Sequence, residues 1–241
     1  MKLFSKSRKK SVTKKRLGNY LLYAIGEIIL VVIGILIAVS INNLNEARKT
    51  KLQVQDIAEQ VHKKIKDDIA EIDMLTMSLN EDLKLYNLYL ANIDTLTEKQ
   101  KKYRRSQAPY LVTYSVDFLP FNPVISTSID KATITNDSLS LKLLDIEQVY
   151  KQGDKNLKLT EQPVLQELLN NINYIKDNFS WYEKFLNGEK FTLEEYSYFE
   201  SSDYRNRVVH MKSFYLESYS GLLEVIKGEL VRLQGELEEL L

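Results

Sequence analysis

Two histidines, His62 and His210, carry the widest chemical repertoire in this 241-residue chain. An imidazole works as a base, an acid or a metal ligand only with partners held at fixed spacing. Neither lies in an HExxH or HxH pattern. No Cys is present, which excludes a thiolate zinc site, an iron–sulfur cluster and a disulfide scaffold. No GxGxxG, GxxxxGK[ST] or GxSxG run occurs either. The acidic pairs Asp67-Asp68, Glu194-Glu195 and Glu238-Glu239 fall in helical patterns, where solvated charge is the ordinary explanation. His62 sits on the rim of an apolar stripe and reads as a partly buried polar residue; a pairing with His210 in space stays open. The run Arg205, Arg207, His210, Lys212 beside Asp203 and Tyr204 has the charge to hold an anion, though such runs are more often solvated faces. The chain therefore reads as a non-enzyme, with no catalytic residue, no metal site and no cofactor.

Charge is distributed unevenly. Residues 1–19 hold eight Lys/Arg and no acid, and residues 20–41 hold one charge, Glu27. The remainder, 42–241, carries 25 basic and 32 acidic residues. A body of net −7 is not a nucleic-acid binder, because phosphate contacts need clustered cations.

Tyr20 to Ile41 reads YLLYAIGEIILVVIGILIAVSI. As a helix it measures about 33 Å, enough for a hydrocarbon core of about 30 Å. Tyr20 and Tyr23 stand at the entry, where polar-tipped aromatics prefer to lie. Asn42, Asn43, Asn45 and Glu46 form the exit into water. Lys9, Lys10, Lys14, Lys15 and Arg16, within the basic tail, set the orientation: the positive-inside rule keeps that end in the cytoplasm. Two other readings remain open. Ala38-Val39-Ser40 fits a signal-peptide cut, although the apolar stretch is longer than signal peptides use. An organellar transit peptide fits the acid-free start, but not the Lys excess or the full span.

Within the span, Gly26, Leu30, Gly34 and Ala38 share a face by i, i+4 spacing, and Gly34-xxx-Ala38 lets another helix approach closely. Glu27 either contacts a partner helix or reaches back to the interface. The lipid bilayer is thus one partner. A second copy of the chain, or another membrane or periplasmic protein, is the other.

The body reads as helical. Ala58, Ile65, Ile72, Leu79, Tyr86 and Ile93 recur every seven residues, flanked by Val61, Leu75 and Leu96 and by Ile69, Leu83 and Leu90. No Gly or Pro interrupts 45–107, so one long stalk helix is expected there, with a bend or split near Met77–Asn80 left open. Residues 108–137 contain Pro109, Pro120 and Pro123 and read as an irregular crossover, with a helical turn after Pro123. Asp137 or Ser138 caps a helix that Gly153 stops. Thr160 and Pro163 begin another, closed by Gly188. Thr192 and Glu195 form a capping box. A last helix starts near Ser202–Asp203 and carries Tyr215, Tyr219, Leu222, Ile226, Leu230, Leu233, Leu237 and Leu240. Its glycine column, Gly221, Gly228 and Gly235, either packs a second helix closely or lies on a solvated face. Fifteen tyrosines, six between Tyr182 and Tyr219, supply a helical core with polar-tipped edges or a recognition surface. The expected fold is all-α: a transmembrane helix running into a stalk, then an antiparallel helical bundle or coiled coil.

The run Tyr20-Leu21-Leu22-Tyr23-Ala24-Ile25-Gly26-Glu27-Ile28-Ile29-Leu30-Val31-Val32-Ile33-Gly34-Ile35-Leu36-Ile37-Ala38, with Ile41-Asn42-Asn43-Leu44-Asn45-Glu46, resembles a family of single-pass membrane proteins of gram-negative bacteria, known as a domain of unknown function. This chain has Leu44 where the family usually shows Trp. The specific likeness covers about 27 residues. It implies an inner-membrane location and a periplasmic body, and no activity. The expectation is a membrane-anchored scaffold or interaction protein. The alternative is a periplasmic ligand-sensing helical module that acts through a partner.

Overall fold

The computed structural model describes residues 4–114, 118, 119 and 137–241, leaving out the side chains of 4–19 and 21. All regular structure among the described residues is helical. The elements are α1 (Phe4–Leu90), α2 (Glu98–Gln107), α3 (Ser138–Asn178), α4 (Tyr182–Leu186), α5 (Leu193–Tyr196), α6 (Ser202–Met211) and α7 (Ser220–Glu238). A π-helical stretch, Lys212–Tyr219, joins α6 to α7. The chain divides into two compact units, Met1–Gln53 and Val54–Leu241.

In the second unit the seven-residue column holds. Ala58, Ile65, Ile72, Leu79 and Tyr86 are all buried. Ile93 is not, with 42 % of its surface exposed, because α1 has already ended at Leu90. The expected helix across 45–107 is therefore two, and the 77–80 region is unbroken helix. The break needs neither Gly nor Pro. The Asn92 side chain accepts from the Asp94 N–H at 3.1 Å and caps a short 3-10 turn. Thr97 then opens α2 with a capping box: its hydroxyl accepts the Gln100 N–H while its own N–H donates to Gln100 Oε1 at 2.9 Å.

Cross-links fix the helix directions. His62 meets Glu238 at 2.8 Å, Asp73 meets Lys227 at 2.5 Å, and the Tyr89 ring meets Tyr204 at 5.8 Å. The C-terminal helix thus runs antiparallel to α1. Lys142 pairs with Glu236 at 2.6 Å and Arg207 reaches Asn171 at 2.9 Å, so α3 is also antiparallel to it. Tyr150 donates to Asp68 at 2.6 Å, which closes a three-helix bundle with α3 parallel to α1.

α3 corrects two sequence expectations. It runs as one helix from its Asp137 cap through buried Gly153 and through Pro163. Interior Gly costs about 1 kcal/mol of helix propensity and Pro about 3. Leu143, Ile146, Tyr150, Leu157, Val164, Leu168 and Ile175 are buried on this helix, and their burial outweighs that cost. Thr160 does not cap; its hydroxyl donates to the Asn156 carbonyl at 3.1 Å inside the helix. Gly188 (φ +66°) ends α4, not a helix begun at Thr160. The Thr192–Glu195 capping box is formed and starts α5.

The π stretch also follows from sequence. Met211, Tyr215, Tyr219 and Leu223 are buried at successive spacings of four. Such a column drifts off the face of a 3.6-residue helix, and widening the turn keeps it on the core. Leu222 is half-buried and Leu240 exposed; Leu216 and Leu223 are buried in their place. Of the 108–137 crossover, Ala108–Tyr110 is a 3-10 turn, and Leu119 donates its N–H to the Tyr219 hydroxyl at 2.9 Å. The turn expected after Pro123 lies outside the described residues.

Candidate functional site

The first candidate is the apolar stretch of α1. Long side chains from Leu22 to Leu44 are exposed on every side, including Leu30 at 74 %, Ile33 at 50 % and Ile37 at 55 %. The helix is long and apolar enough to cross a membrane, by length and composition. Gly26, Glu27, Gly34 and Ala38 are all exposed, and a Cβ built on Gly26 or Gly34 would meet no atom within 4 Å. Asn42, Asn43, Asn45 and Glu46 continue the same helix and are exposed, with Glu46 3.4 Å from Lys49. The side chains of Lys9, Lys10, Lys14, Lys15 and Arg16 lie outside the described residues.

The second candidate was not singled out from the sequence. α2 turns four cations, Lys101, Lys102, Arg104 and Arg105, onto the wall of a cavity of about 210 Å³. Tyr196 and Glu200 close it from across the fold, and Glu98 and Ile93 complete its rim. The two guanidinium groups are held against rings. Arg104 lies 4.8 Å over Tyr89 and Arg105 lies 5.1 Å over Tyr196. Arg104 also reaches the Ala91 carbonyl at 3.5 Å. Lys101 takes Glu98 at 2.8 Å and holds its carboxyl below the usual carboxylate range. Glu200 stands 3.8 Å from Arg105, beyond hydrogen-bond distance. Burial, with Glu200 nearby, pushes the Tyr196 hydroxyl up to about 12, so it remains a neutral donor at pH 7. The KxKK-x-RR run, Lys99 to Arg105, carries the charge in sequence, but nothing local shows that residues nearly a hundred positions later wall it in.

The other sequence candidates have structural partners. His62 holds Glu238, whereas exposed His210 stacks on Phe214 at 4.5 Å, so the two histidines have separate partners. The Arg205–Lys212 run is dispersed. Arg205 donates to the Leu90 carbonyl at 2.6 Å, and Lys212 pairs with Glu217 at 2.9 Å. Arg207 pairs with Asp203 at 3.1 Å and lies 3.9 Å over the Tyr174 ring.

Tyrosines 196, 198, 204, 215 and 219 are buried. Several spend their hydroxyls on backbone: Tyr86 donates to Leu111, Tyr89 to Phe199 and Tyr204 to Ala108. The glycines 221, 228 and 235 are exposed with no atom within 4 Å of a built Cβ, so they form no packing seam among the described residues. Among the described residues no group of three or more His, Asp or Glu is placed to hold a metal ion. No family model, curated protein or solved structure matches the chain.

Proposed function

We propose that this is a single-pass membrane protein of the bacterial inner membrane whose helical body serves as a scaffold or interaction module. Residues 20–41 are the anchor, 1–19 a basic cytoplasmic tail, and 42–241 the periplasmic body. One observation carries the reading: the apolar side chains of 22–44 surround their helix and none is buried. A large apolar side chain left in water forgoes about 1.5–3 kcal/mol relative to burial. A helix apolar on all sides belongs in a core or in lipid, and these side chains are exposed among the described residues. The likeness of Tyr20–Ala38 and Ile41–Glu46 to a family of single-pass membrane proteins supports the same reading.

The bilayer is then one partner, and a second copy or another membrane or periplasmic protein meets the body or the Gly26–Gly34–Ala38 face. On this reading the chain binds and does not catalyse. The test pairs C-terminal reporters active only outside or only inside the cytoplasm, with the size of the mature chain. An outside signal on a full-length chain is expected. An inside signal or a shortened chain would overturn the anchor or its orientation. Glu27→Leu should change crosslinking in the membrane; unchanged crosslinking and insertion would remove Glu27 from the contact.

A specific observation favours a second reading, a ligand-sensing module acting through a partner: the cavity on α2, whose wall carries four cations.

A further inference from the structure

We propose that the α2 cavity binds the phosphate group of a small phosphomonoester, with Lys102 and Arg105 as its principal ligands. This rests on the ligand-binding reading and not on the anchor, since every residue involved lies between 93 and 200. The wall carries four cations against two carboxylates. One carboxylate, Glu98, is engaged by Lys101. The other, Glu200, is too far from Arg105 for a hydrogen bond. Lys102 makes no hydrogen bond or ion pair among the described residues. Lys101 and Arg105 are i, i+4 neighbours of like charge, an arrangement that disfavours a helix.

A phosphomonoester carries about −1.5 to −2 at pH 7, which matches the excess of two positive charges on the wall. Guanidinium forks suit its oxygens, and both forks are already oriented by the rings of Tyr89 and Tyr196. The volume of about 210 Å³ is some seven water volumes, at about 30 Å³ each. It has room for a phosphate and a few further atoms.

The test is calorimetric titration of the full chain in nonionic detergent at fixed ionic strength. The probes are inorganic phosphate, glycerol phosphate, dihexanoyl phosphatidic acid and succinate, with chloride as the blank. Saturable binding of inorganic phosphate and glycerol phosphate is expected. K102Q and R105Q should each weaken it about tenfold, the loss of one charge-assisted contact. R105K should recover part of the loss. Both side chains are exposed, and an unchanged urea midpoint checks that each variant folds. Equal affinity for the short-chain lipid and glycerol phosphate assigns the group to a free ester. Tighter lipid binding that both variants weaken supports the phosphate site and assigns it to a headgroup. Succinate binding without phosphate binding overturns the phosphate assignment and leaves a ligand site. No saturable heat with any probe, or variants that bind phosphate like the native chain, overturns the site itself.

Discussion

Two stretches of α1 each carry 17 apolar residues, over 23 positions in Leu22–Leu44 and over 36 in Val54–Tyr89, and the two sets have opposite fates. From Leu22 to Leu44 the large apolar side chains point in every direction and all are exposed. From Val54 to Tyr89 most keep to one side: Val54, Ala58, Val61, Ile65, Ile72, Leu79, Tyr86 and Tyr89 are buried, while Met74 and Met77 are exposed. The outward positions of the second stretch are Lys63, Lys66, Asp67, Glu71 and Asp73, all exposed. What differs is apolar density and its angular distribution. A one-sided stripe can be covered by α3 and the C-terminal helix. An all-round one cannot be covered by two neighbours and needs an apolar solvent.

The largest test of this difference removes equal apolar bulk from each stretch. Leu79→Ala leaves a cavity in a core position that is 1 % exposed. It should lower the stability of the body by about 2–5 kcal/mol, read from urea unfolding in detergent. Leu30→Ala, at a residue 74 % exposed, should leave that midpoint unmoved. A similar loss at both positions would show that the first stretch also packs in the core, and the comparison would fail.

A smaller effect is expected from the polar tips inside the body. Tyr86 is 4 % exposed and donates its hydroxyl to the Leu111 carbonyl. Tyr86→Phe keeps the ring and leaves a buried carbonyl without its donor, which costs about 1–3 kcal/mol. Amide exchange should quicken in 108–114, the segment that Tyr86 and Tyr204 tie down. Tyr23→Phe, in the first stretch at a residue 77 % exposed, should change neither reading.

Periodicity is what made α1 legible. A column at every seventh residue from Ala58 to Tyr86 reports a face whatever the helix packs against. The helix ends were harder to read, because the signals compete. Absence of Gly and Pro suggested continuity past Leu90, but the Asn92 and Thr97 side chains offered the backbone better partners. Presence of Gly153 and Pro163 suggested a stop, but apolar burial along α3 exceeded their cost. The four-residue spacing from Met211 to Leu223 does carry the π turn, once it is compared with 3.6. The α2 cavity was not readable at all. Its charge lies in one short run, whereas Tyr196 and Glu200 arrive through the tertiary fold.

The smallest effect concerns a carboxylate at the edge of the stripe. Asp82 is half-buried between the buried columns of α1, and burial raises its carboxyl above its ordinary value of 3.8. Below 3.8 the proton is bound in both folded and unfolded chains, so the group costs nothing. As pH rises, the unfolded chain releases its proton first, and the folded state loses relative stability until the raised value is passed. Above that window the penalty is complete. Asp82→Asn removes it, so the urea midpoint should rise at pH 7 and stay unchanged at pH 3, with the gap opening between. Asp68, by contrast, pairs with Lys64 at 2.9 Å and accepts from the Tyr150 hydroxyl at 2.6 Å. Asp68→Asn should therefore lower the midpoint at pH 7, opposite in sign to Asp82→Asn. A fall at pH 7 for Asp82→Asn would mean that the carboxylate is compensated as Asp68 is, and that the edge of the stripe is more polar than its burial indicates.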